Sequence, residues 1–237
     1  NYRFYVRSTR ELRFQWKMGG VQNYMTYSGA TLDVGTWYHV ALTVSPSEQK
    51  LYINGALVET ANNVMTGVSV DNSVIVMGDS ANGDNTGFSG NIDEVRIYQG
   101  VLTASELNTI KDETRVCMAQ PLNLVGEWRF DEASWAGTAG EVIDSSGNGL
   151  NATVINSGSL PTTSNTDAVV PGSTGTCRFG DFNGTSDGYV NLADPGVNSI
   201  LDLDRFTLTA WVYIDSLGAY HSITTKGGNY ELFITDT

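Results

Sequence analysis

RFTLTAWVYID, residues 205–215, alternates apolar and polar positions without a break. Phe206, Leu208, Ala210, Val212 and Ile214 share one face; Thr207, Thr209, Trp211 and Tyr213 share the other. A period of two is the strand period, and a single apolar face marks a strand half-buried against a core. ELRFQWK (11–17) repeats the pattern, with Leu12, Phe14 and Trp16 set against Arg13, Gln15 and Lys17. Shorter runs near 2–6, 37–45, 50–54, 73–77, 91–98, 123–131, 178–182, 188–191, 221–225 and 229–234 predict further strands. Asn-Gly at 54–55, 82–83, 148–149 and 183–184, and Gly-Gly at 19–20 and 227–228, supply the positive-φ residues of tight turns. One helix is predicted, where Thr103-Ala-Ser-Glu106 forms a capping box opening LNTIKDE. Many strands and one short helix exclude the parallel α/β class. They predict an all-β, antiparallel two-sheet jelly-roll sandwich.

The 237 residues are 41% hydrophobic, enough for a sizeable core in one or two domains. Against 13 basic side chains stand 26 acidic ones, a formal charge of −13, and residues 117–237 hold 4 basic and 14 acidic. That balance excludes a basic nucleic-acid footprint and disfavours an anionic membrane surface. No run of 18 apolar residues is present, so no membrane-spanning segment is expected. The chain opens Asn-Tyr-Arg-Phe without Met or an apolar leader, as a processed protein or a segment of a longer one would.

Cys117 and Cys177 lack the spacing of a zinc site. Two reduced core thiols are one reading. The expectation is a single disulfide in a secreted protein, closing a 60-residue loop and contributing roughly 4 kcal/mol on the loop-entropy model. Residues 229–237, NYELFITDT, echo residues 1–9, NYRFYVRST, at an offset of 228. The echo predicts a tandem array with a repeat near 228 residues, sampled in mid-domain.

Two blocks name a relative. TWYHVALTVSPSEQKLYINGALV (36–58) and GFSGNIDEVRIYQGVLTASEL (87–107) resemble the C-terminal half of a laminin-G-like domain of the concanavalin A-like lectin/glucanase superfamily. LVGEWRFDEASWAGTAGEVIDSSGNGLNAT (124–153), continued by 177–215, resembles the opening half of the same domain. Cys117-Met-Ala-Gln, just before that opening, more narrowly resembles domains of the MSHA-type pilus biogenesis Q protein of bacteria. The order of the blocks implies three parts. Residues 1–116 are a C-terminal half, 117–122 a joint and 123–237 an N-terminal half. They close on each other in one chain, or neighbouring repeats complete them.

Asp93 alternates with Val95 and Ile97 in NIDEVRIY and is expected on their apolar face, where a carboxylate must be paired or metal-bound. Asp131 ends EWRFD, and Asp144 and Asn148 lie in the oxygen-rich DSSGNG turn. These are calcium-type ligands, and the resemblance implies a structural Ca2+ linking the opening segment to Asp93. The alternative is that Asp144 and Asn148 make Asx-turn bonds and Asp93 caps backbone amides. Asp79 and Asp84, in GDSANGDN, are expected at a solvated hairpin tip. His39 is expected to be structural, since no nucleophile accompanies it.

Glycosidases of the superfamily carry Glu-x-Asp-x-x-Glu on a strand. Here Asp93-Glu94 and Asp131-Glu132 are adjacent and are expected on opposite faces of their strands, which disfavours hydrolysis. Arg3, Tyr5, Arg13, Gln15, Lys17, Trp211 and Tyr213 could form a glycan platform or an ordinary solvated face. The expected function is a non-enzymatic extracellular or cell-surface module, secreted and bacterial. It would be the calcium-stabilised repeat unit of an adhesin or head-to-tail filament whose partners are neighbouring copies. A carbohydrate-binding module is the alternative, with surface glycans as partners, and a glycoside hydrolase the less favoured third.

Overall fold

The computed structural model describes residues 2–6, 11–18, 21–27, 29, 31–63, 73–79, 87–112, 123–156, 160–164, 178–185, 188–196, 198–216, 220–226 and 230–235. They form two antiparallel sheets. The first contains β1 (Tyr2–Val6), β2 (Leu12–Met18), β3 (Val21–Thr26), β7 (Ile75–Met77), β10 (Thr153–Asn156), β13 (Gly188–Leu192), β15 (Tyr220–Lys226) and β16 (Tyr230–Thr235). The second contains β4 (Trp37–Val44), β5 (Gln49–Ile53), β6 (Ala56–Ala61), β8 (Ser89–Gln99), β9 (Leu124–Trp128), β11 (Thr162–Ser164), β12 (Phe179–Asn183) and β14 (Phe206–Ile214). The stretch that decided the fold is central to its sheet. β14 pairs with β4 along one edge, Leu208 opposite Leu42, and with β8 along the other, Leu208 opposite Ile97. Residues from the two sequence halves thus interleave in one sandwich.

The alternation in each strand turns one face inward. Leu12, Phe14 and Trp16 of β2, Val40, Leu42 and Val44 of β4, and Leu208, Ala210, Val212 and Ile214 of β14 meet in the core, each at most 1% exposed. Trp128 of β9 joins them, its Nε1–H donating to the Leu150 carbonyl at 2.9 Å. Gly126 makes room for that indole, because a Cβ there would collide with the ring.

The capping box forms as read. The Thr103 N–H donates to Glu106 Oε2 at 2.7 Å and the Glu106 N–H to Thr103 Oγ1 at 3.2 Å, opening helix α1 (Ala104–Asp112). Leu107 packs on Ala41 and Tyr52, so α1 covers part of the second sheet's outer face. The Asn54-Gly55 turn has positive φ at both residues (50° and 79°), as a tight hairpin requires. Strands β3, β6, β10 and β11 escaped the sequence reading. In β6, for example, an apolar face never develops, since the strand is largely exposed at a sheet edge. Asp79, expected at a solvated tip, is instead buried, and Asp84 lies outside the described residues. So do Cys117, Cys177 and the 117–122 joint.

The loop between β13 and β14 is fixed by one buried cation. Lys226 Nζ, fully buried at the end of β15, lies 2.8 Å from Asp194 Oδ2 and 3.2 Å from Asp202 Oδ1 and donates to the Leu201 carbonyl. Burial alone would raise the Asp194 carboxyl. Hydrogen bonds from Lys226, Gly196 and Ser199, with the Lys226 charge, hold it below its ordinary value. Removing one partner of a buried ion pair strands the other. Lys226→Met is therefore expected to cost about 3–5 kcal/mol in urea unfolding, and adding Asp194→Asn and Asp202→Asn to recover much of that loss.

Candidate functional site

The outer face of the second sheet gathers the polar residues of the motif blocks. Trp37, His39 and Ala41 of β4 stand opposite Tyr213, Trp211 and Thr209 of β14. Trp37, Trp211 and Phe179 form an apolar cluster separate from the core, with half-buried Tyr213 against it. The Trp37 ring lies 5.8 Å from Phe179, edge to face, and 5.6 Å from Tyr213. His39 meets Trp211 edge-on at 5.4 Å.

Asp93 belongs to this outer face, which corrects the simple alternation. Opposite β14, Arg96 pairs with Thr209, but Asp93 pairs with Trp211, so β8 carries one additional residue between them. Glu94, with φ of 50°, absorbs that residue as a bulge. Ile92 still faces the core with Val95 and Ile97, and Asp93 changes sides. Strict period-two counting cannot see a bulge, although a charged pair in the middle of an apolar strand is a signal for one.

Beside the bulge the charges are mutually paired. Arg96 Nε donates to Glu127 Oε1 and Arg96 Nη2 to Glu94 Oε2, both at 2.8 Å, and Arg129 Nη2 meets Glu127 Oε2 at 2.8 Å. Burial works against the Arg129 charge, yet the hydrogen bond and charge of Glu127 hold its pKa above the ordinary value. Glu94 and Glu127 therefore converge on one guanidinium. The two acids are thereby held in one ion network with Arg96 and Arg129. Asp131 accepts the Arg178 N–H, and Glu132 accepts Trp135 Nε1–H and the Ile143 N–H.

Asp93, Asp131 and Asp144 are not gathered into one cluster, while Asp144 and Asn148 share the DSSGNG turn. Among the described residues, no three His, Cys, Asp or Glu side chains converge in a way that could hold a metal. Asp144 accepts four hydrogen bonds: the Glu127 and Ser146 N–H at Oδ1, and Ser146 Oγ–H and the Leu150 N–H at Oδ2. The Asn148 side-chain amide donates to the Leu124 and Val125 carbonyls, oxygens that a cation would need. Donor hydrogens aimed at the carboxylate do not fit a calcium ion. DSSGNG instead staples itself onto β9 as an Asx-type turn.

The seven residues of the expected glycan face also separate. Arg3, Tyr5, Arg13, Gln15 and Lys17 belong to β1 and β2 of the first sheet, and Trp211 and Tyr213 to β14 of the second. Arg13 stacks over the Tyr24 ring at 4.7 Å. Among the described residues, Trp37 Nε1, His39 Nδ1 and Thr209 Oγ1 on the second sheet's outer face find no hydrogen-bond partner. They lie on the adjacent strands β4 and β14, a placement that sequence alone did not suggest.

Residues 1–108 match the family model described as Concanavalin A-like lectin/glucanases superfamily, of laminin-G type. Neither a curated protein nor a solved structure matches the chain.

Burial first, then the Arg96 and Lys111 charges, lower the His39 pKa from 6.5 to about 3, with Asp112 acting in the opposite sense. The imidazole is thus neutral in the fold. Between pH 6.5 and about 3 the unfolded state binds the extra proton, so acidification through that window destabilises the protein by up to ~1.4 kcal/mol per pH unit. His39→Gln is expected to remove this slope, read from urea unfolding between pH 7 and 4. A second expectation concerns the turn. Chelators should leave the melting temperature unchanged, whereas Asp144→Ala, which strands four donors, should cost about 3 kcal/mol or more.

Proposed function

We propose, from the premise that residues 1–108 belong to the concanavalin A-like lectin/glucanase superfamily, that the chain is a non-enzymatic, laminin-G-like adhesion module of a secreted or cell-surface protein. The observation that carries this reading is the charge network of β8 and β9. Two acids of the β8–β9 pair, Glu94 and Glu127, are both held by Arg96. Cleavage of a glycoside needs two carboxyl groups facing the scissile bond with their protonation states free to change. A secreted or surface location is in keeping with the laminin-G type and with the acidic composition. No described helix is long and apolar enough to cross a membrane.

A carbohydrate-binding role is the second reading, favoured by the unpartnered Trp37 Nε1, His39 Nδ1 and Thr209 Oγ1 beside four aromatic rings. Sugars offer hydroxyls for such atoms and C–H faces for the rings.

One assay set separates the readings. Incubation with β-glucans and other polysaccharides is expected to release no reducing ends, and sustained release abolished by Glu127→Gln would overturn the proposal. Tryptophan fluorescence titrated with oligosaccharides is expected to stay flat for an adhesion module. A saturable change lost in Trp211→Ala would establish the carbohydrate reading in its place.

A further inference from the structure

A strand has two edges, and β2 has three partners. Along one edge runs β3, with Trp16 opposite Asn23 and the Tyr27 N–H donating to the Leu12 carbonyl at 3.0 Å. The other two partners are β1 and β16. β1 sets Arg3, Phe4 and Tyr5 opposite Gln15, Phe14 and Arg13. β16 sets Glu231, Leu232 and Phe233 opposite the same three residues. In each case the β1 and β16 positions differ by 228, the offset that aligns NYRFYVRST with NYELFITDT.

β8 also has three partners, but it divides an edge between two of them. β12 takes residues 89–92 and β9 takes 95–98. No such division exists on β2, where the claims of β1 and β16 coincide residue for residue. The position of β1 agrees. Had it lain on the β3 side, three strand spacings, ~14 Å, would separate it from β15. It comes instead within 8 Å of both β15 and β16. Both strands therefore address the gap between β2 and β15.

We infer that β1 and β16 are interchangeable occupants of one strand-acceptor slot, and that whichever strand is displaced is a donor for the same slot in a second copy of this chain. The register explains the equivalence. Slippage by one residue would reverse every side chain, and both strands keep phase: Phe4 and Leu232 each stand opposite core residue Phe14. Tyr2, Phe4 and Val6 match Tyr230, Leu232 and Ile234 in apolar character. Exchange of like strands between copies preserves the ladder bonds, so it costs little beyond the loss of intramolecular proximity.

Three truncations test this: a chain lacking residues 1–6, one lacking 230–237, and one lacking both. Each single truncation is expected to melt within about 3 °C of the intact chain, and the double truncation more than about 10 °C lower or not to fold. Refolding the double truncation with the peptide NYELFITDT should restore the higher transition, while a scrambled peptide should not. Mixing it with the intact chain should give a 1:1 complex by analytical ultracentrifugation. Equal, additive losses from the single truncations would show two separate slots and overturn the inference. So would a double truncation as stable as the single ones. Redundant truncations with neither peptide rescue nor complex would overturn exchange between copies.

Discussion

Both edges of β14 are filled by strands that come much earlier in the chain, and the sandwich depends on that insertion. β4 and β8 lie on either side of it, and each brings its own neighbours: β5 and β6 through β4, β9 and β12 through β8. Its inward residues, Leu208, Ala210 and Val212, fill the middle of the core, and its outward Trp211 and Tyr213 build the aromatic cluster. One nine-residue strand thus sets the sheet order, the core and the candidate site together.

The bulge at Glu94 does for the outer face what β14 does for the sheet. Without the additional residue, Asp93 would point into the core, and an unpaired carboxylate there would be costly. With it, Asp93 faces outward beside Trp211, and Glu94 reaches Arg96. The same guanidinium binds Glu127 of β9, so the ion network also ties the WRFDE block to the NIDEVRIY block. Asp144 completes that connection by accepting the Glu127 N–H from the DSSGNG turn. The charged motif residues are thus accounted for as mutual anchors.

Much of this was legible in the residues themselves. Alternation in 205–215 and 11–17 marked β14 and β2 with their inward faces, and Thr103 with Glu106 marked the helix start. The laminin-G likeness rested on blocks whose first pair lies within the 1–108 family match. What local pattern could not convey was phase and sheet membership. A bulge shifts phase by one residue without any change in composition, and so Asp93 was assigned to the wrong face. Arg13 and Trp211 look alike as polar-face residues of alternating strands, but only long-range pairing assigns them to different sheets. Ligand chemistry is legible in DSSGNG, whereas the donor hydrogens around Asp144 depend on backbone geometry.

The insertion of β14 also dictates an order of assembly. Until residues 206–214 arrive, β4 and β8 each present an open hydrogen-bonding edge, and the other edge of β8 is covered only once β9 and then β12 have emerged. Closing such distant pairings is entropically demanding and slow compared with forming a hairpin such as β4–β5. A chain emerging from the ribosome would therefore carry bare strand edges from the appearance of β4 until that of β14, the state in which β-proteins aggregate. Late closure makes the time before β14 docks the vulnerable stage in the life of this fold.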